Sequence, residues 1–99
     1  MRQTWIGLIH VQPEPDCEVL EQNAYVQAVA WVEEPEDFDA IVRQAAAEYR
    51  LHVMCIEDLE PLNVRLRKYD VEQGLLDSVK EIEGTDYLRF GTFHTYPAE

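Results

Sequence analysis

The chain has 99 residues, 46% of them hydrophobic, and its 20 Asp and Glu against 8 Lys and Arg leave a formal net charge of -12. That length supports one core and a single globular domain over residues 1–99, and the apolar content rules against a disordered polymer. The charge sets the chain against nucleic acid and anionic membrane, and no run approaches the roughly 20 apolar residues that span a bilayer.

The opening residues, MRQTWIGLIHVQPEPD, lack the long apolar segment and small-residue cleavage site of a signal peptide, so a cytoplasmic protein is expected. Thr4 to Val11, TWIGLIHV, is rich in β-branched and aromatic residues and predicts a strand that ends at Pro13. Residues 13–23, PEPDCEVLEQN, carry two prolines and four acids and predict an exposed acidic loop. From Ala24 to Glu33, Val26, Ala28, Ala30 and Val32 alternate with Tyr25, Gln27, Val29 and Trp31, the period of a strand with a small apolar face. Pro35 with Glu34, Glu36 and Asp37 marks a helix start, and Arg43 and Arg50 lie toward the end where cations are favoured. Phe38, Ile41, Val42, Ala45 and Tyr49 form that helix's apolar stripe. LHVMCI resumes as a strand, broken at Glu60-Pro61.

Leu62, Val64 and Leu66 alternate with Asn63, Arg65 and Arg67, which predicts an edge strand protected by charge. Asp70 and Gln73 have the spacing of an N-cap and its N3 partner. A second helix follows, with Leu75, Leu76, Val79 and Ile82 as its stripe and Gly84 at its close. Tyr87 to Tyr96 alternates as a last strand before Pro97. The order resembles a ferredoxin-like β-αββαβ sandwich with an additional N-terminal strand. This α+β reading puts both helices on one face of a mainly antiparallel sheet and leaves the other face for solvent, a ligand or a second subunit.

No G-x-G-x-x-G, P-loop or G-x-S-x-G motif is present. His10, His52 and His94 lie in separate strands without ligand spacing, and Cys17 and Cys55 stand 38 positions apart, read as free thiols. No metal, cofactor or catalytic residue is therefore expected. The paired carboxylates, such as Glu36 with Asp37 and Glu57 with Asp58, are explained by the helix dipole and by solvation. The aromatic content is more informative: Tyr25, Val29 and Trp31, with Trp5 and Arg89, have the composition of an interface centre on the sheet face opposite the helices. The function expected is a small acidic protein-interaction module, of inhibitor, immunity-type or regulatory kind, binding a protein partner or a second copy of itself in a homodimer. The alternative is a small-molecule-binding domain or small enzyme with a site between the open sheet face and a loop.

Overall fold

Ile6, Ile9 and Val11 are all fully buried although they point to both sides of one strand, and a strand buried on both sides belongs in the middle of a sheet. The computed structural model describes residues 1–85 and 87–96 and places this N-terminal strand, β1 (Gln3–Pro13), between β2 (Ala24–Val32) and β3 (Leu51–Pro61). Two short strands, β4 (Leu88–Phe90) and β5 (His94–Thr95), pair with the far side of β2, and every pairing is antiparallel. The helices are α1 (Pro35–Glu48), α2 (Leu62–Leu66) and α3 (Gln73–Ile82). The result is a compact α+β fold, an open antiparallel sheet of five strands with three helices and a radius of gyration of 13.1 Å.

The predicted strand-helix-strand from Ala24 onward is found. Asp37 accepts a hydrogen bond from the Glu34 backbone N–H at 3.2 Å, satisfying one of the donors exposed at the start of α1. The buried stripe of α1 is Phe38, Val42 and Ala46, one step round the helix from the predicted centre, with Ile41 half-buried beside it. Tyr49, expected in the stripe, caps the helix C-terminus and is half exposed. Arg43 pairs with Asp39 at 3.0 Å instead of serving the helix end. Arg50, just past that end at φ 60°, reaches Asp16 in the acidic loop at 2.9 Å. Glu14 N–H also donates to the Arg50 carbonyl, and the Cys17 thiol donates to the Tyr49 carbonyl, so the loop is fastened to the end of α1.

Five expectations are corrected. Leu62–Leu66 is a helical turn and not a strand. Leu62 and Arg65, three apart, are the buried positions, and Arg65 is buried because Glu60 holds its guanidinium at 2.6 Å while the Asp58 carbonyl accepts a second bond. The helices do not share a face: α1 packs with Val26, Ala28 and Ala30, whereas Leu62, Val71, Leu75 and Ile82 enclose Ile6 and Val29 on the other side. With the N-terminal strand central and the fourth predicted strand helical, the ferredoxin-like order is not reproduced. Finally, the run from Tyr87 to Tyr96 is broken into β4 and β5, because the Glu72 carboxylate accepts the Thr92 N–H at 2.9 Å and lies against Gly91. A side chain at Gly91 would collide with that carboxylate. Helix α3 starts two residues later than predicted, with Glu72 at the N-cap, and Gly84 follows it at φ 78°. Pro97, predicted to end the last strand, lies outside the described residues.

Candidate functional site

The α3 side of the sheet is covered at one end only. Over its other end the side chains of His10, Tyr25 and His94 form a row: Tyr25 stacks on His94 with ring centroids 5.1 Å apart, lies 6.3 Å from Tyr96, and is tilted against His10 at 6.2 Å. Antiparallel pairing sets His10 directly opposite Cys55 and Leu8 opposite Glu57, so His10, Cys55 and Glu57 project from the same patch of the same face. Glu57 Oε2 is 3.5 Å from His10 Nε2, and the Cys55 thiol points at Glu57 Oε1 from 3.9 Å. Among the described residues His10 Nε2 is shielded from solvent and has no hydrogen-bond partner. His52 lies two residue pairs further along, opposite Gln12, and is exposed.

Beside this patch a hollow of about 330 Å³ is lined by Gln27, Asp58, Glu60, Arg65, Lys68 and Tyr69. Glu60 accepts from both cations, with Lys68 Nζ at 3.3 Å, and the Arg65 guanidinium in particular holds the Glu60 carboxyl below the usual range. Both cations here are paired with Glu60, and with Asp58 as the second acid the lining of the hollow carries no net charge.

A second feature runs along the outer side of β4, between it and the flank of α1. Two contiguous lobes, of about 450 Å³ and about 380 Å³, share Tyr49, Leu88, Arg89 and Phe90 as walls. Ile41, Gln44, Ala45, Glu48 and Tyr87 complete the first lobe, Val19, Gly91 and Phe93 the second. Three of these apolar side chains stand largely in water, Val19 at 54%, Tyr49 at 50% and Tyr87 at 68% of full exposure. No strand pairs with the outer edge of β4 among the described residues.

The five residues expected to form one interaction face are separated. Tyr25 is on the open end of the α3 side and 39% exposed. Val29 is fully buried beneath α3, and the apolar face expected to lie bare is covered there. Trp31 is half-buried at the end of β2 with Arg2 Cζ 5.4 Å above its ring. Trp5 packs into the α1 side. Arg89 stands opposite Val29 and pairs with Glu81 of α3 at 3.5 Å, while its strand forms the wall of the β4 groove. Sequence reasoning missed Tyr49 because its spacing fits the α1 stripe; only the turn at Arg50 lifts it out. It missed the His10–Cys55–Glu57 patch because nothing local links residues 45 positions apart. Comparison with models of known families, with curated proteins and with solved structures gave no match.

Proposed function

We propose that the chain is an acidic protein-binding module that holds an extended, basic segment of a partner protein in the groove beside β4. The observation that carries this reading is the rim of large apolar side chains left in water around that groove, Val19, Tyr49 and Tyr87. Such clusters are uncommon on soluble surfaces, and tyrosines offer wide contact at small entropic cost. An extended segment matches the open edge of β4, although a three-residue strand gives few backbone bonds, so side chains in the two lobes would carry most of the affinity. Basic residues are selected by the exposed Glu48 in the wall of the groove and by the net charge of -12, which also speeds encounter at low salt. An inhibitor, immunity-type or regulatory protein would work in this way, by occupying a basic surface of its target. Among the described residues no helix is long and apolar enough to cross a membrane.

The test is selection of random peptides on the purified protein, followed by resonance mapping. Basic, aromatic-containing peptides should be enriched and should perturb the amides of Leu88, Arg89 and Phe90. Tyr87→Ala or Tyr49→Ala should weaken binding by about tenfold, the loss of about 1.4 kcal/mol characteristic of an interface anchor. Affinity should fall as salt rises. Peptides that perturb a different surface, or that bind both variants unchanged, overturn the reading. Self-association by sedimentation, strengthening with salt and lost in Tyr87→Ala, would instead make a second copy the occupant.

A further inference from the structure

We propose that His10, Cys55 and Glu57 bind a single divalent transition-metal ion of the zinc class on the open end of the sheet. The three side chains offer one nitrogen, one sulfur and one oxygen ligand, and these atoms all lie within 4.8 Å of one another. Ligand bonds of about 2.0 to 2.3 Å in a tetrahedral zinc site place neighbouring ligand atoms roughly 3.3 to 3.8 Å apart. The distances present, 3.5 Å from His10 Nε2 to Glu57 Oε2 and 3.9 Å from Cys55 Sγ to Glu57 Oε1, are already close to that spacing. The two distances run to the two oxygens of Glu57, so the side chains draw together when one ion is held between them. His10 Nε2 adds a further observation: the atom is shielded from solvent, has no hydrogen-bond partner among the described residues, and faces the Glu57 carboxylate at 3.5 Å. A shielded polar nitrogen without a hydrogen bond is costly, and an ion held between it and the Glu57 carboxylate would satisfy both groups.

The backbone is built to make this juxtaposition. β1 is the central strand, so His10 stands on a support that is paired along both edges. β3 has an extra residue at Met54, where the register slips between His10 and Val11, and this slip is what puts Cys55 opposite His10. A β-bulge commonly re-aims a side chain in this way. Thiolate and carboxylate together supply two negative charges to a divalent ion, and the sulfur ligand selects zinc or cobalt(II) over magnesium or calcium. On binding, the Cys55 thiol proton is released to water as the sulfur–metal bond forms, so affinity rises with pH. Cys55 and Glu57 are exposed, which leaves the fourth coordination position facing solvent and open to water or to a ligand atom from outside.

Cobalt(II) titration of chelator-treated protein tests the site directly, because a thiolate ligand gives a sulfur-to-cobalt charge-transfer band. One equivalent should saturate that band, and zinc should displace it. Cys55→Ser should abolish the band, His10→Gln and Glu57→Gln should weaken binding by at least about tenfold, and Cys17→Ser and His52→Ala should change nothing. Circular dichroism checks that each variant is folded. Independently, one equivalent of zinc should protect Cys55 but not Cys17 of the unaltered chain from alkylation, which keeps the proposal testable if a variant does not fold. Absence of the charge-transfer band, or cobalt and zinc binding that survives Cys55→Ser and His10→Gln, would overturn the site; the latter would place the ion on the acidic surface.

Discussion

The two sides of the sheet are built differently. On the α1 side, Ile9, Val11, Val26, Ala28, Ala30, Val32, Leu51 and Val53 are buried along the whole width from β3 to β2. On the α3 side only Ile6 and Val29 of the sheet are buried, and the rest of that face carries His10, Tyr25, Gln27, Cys55 and Glu57. Length explains part of this. A ten-residue α3 is about 15 Å long, whereas the nine residues of β2 extend about 30 Å, so α3 reaches only one end. The 14 residues of α1 reach further, about 21 Å, and Cys17, Leu20 and Phe93 extend that layer beyond the helix. A short covering element thus leaves sheet side chains free for chemistry, while a long one consumes them in the core.

The comparison is tested most strongly by truncating one side chain in each layer. Phe38→Ala should cost about 3 to 5 kcal/mol and Leu75→Ala about 2 to 5 kcal/mol, the usual range for these changes at fully enclosed sites. In urea both should unfold in one transition followed by circular dichroism, since β1 and β2 contribute to both cores. A separate early transition in Leu75→Ala would show that the α3 layer melts independently. Next in size is Gly91→Ala, which should cost about 1 kcal/mol, because the Glu72 carboxylate, at the end of a flexible side chain, swings away and gives up the Thr92 N–H. In a Glu72→Ser background the same change should cost much less, and equal costs in both backgrounds would mean that Glu72 does not set the break between β4 and β5.

The smallest expected effect concerns Glu60, whose carboxyl Arg65 holds below its usual range. A depressed carboxyl contributes stability that is complete above the unfolded value, about pH 4.3, and is lost as pH falls through the lower folded value. Glu60→Gln should therefore be less stable than the unaltered protein at neutral pH, with the two converging in acid. A difference that stays constant on acidification would mean that Arg65 is held by the Asp58 carbonyl and by packing alone.

Much of the fold was legible locally. The alternation of β2, the acidic start of α1, the stripe of Leu75, Val79 and Ile82, and Gly84 after α3 are set by neighbours within a few residues, whose periodicity and backbone preference act at short range. Arg65 misled because a charged residue reads as exposed, while its burial depends on Glu60 and the Asp58 carbonyl being placed around it. The residues of the candidate sites were less legible than the elements carrying them. Tyr25 could be read as an exposed aromatic from alternation alone, but Val29 shares that alternation and is buried. Nothing in the strand pattern says which half of a face a helix will cover.

What the sequence determined by itself, then, is the identity of most elements and which side chains each strand turns to a common side. Which strands are neighbours, on which side each helix lies, and which residue stands opposite which were decided by the tertiary structure. The N-terminal strand lies inside the sheet because, like β2, it offers apolar residues to both layers, Ile6 to one and Ile9 and Val11 to the other. The bulge at Met54 then brings His10 and Cys55 together across 45 positions of sequence. Such contacts follow from global burial and hydrogen-bond pairing, which no local preference encodes.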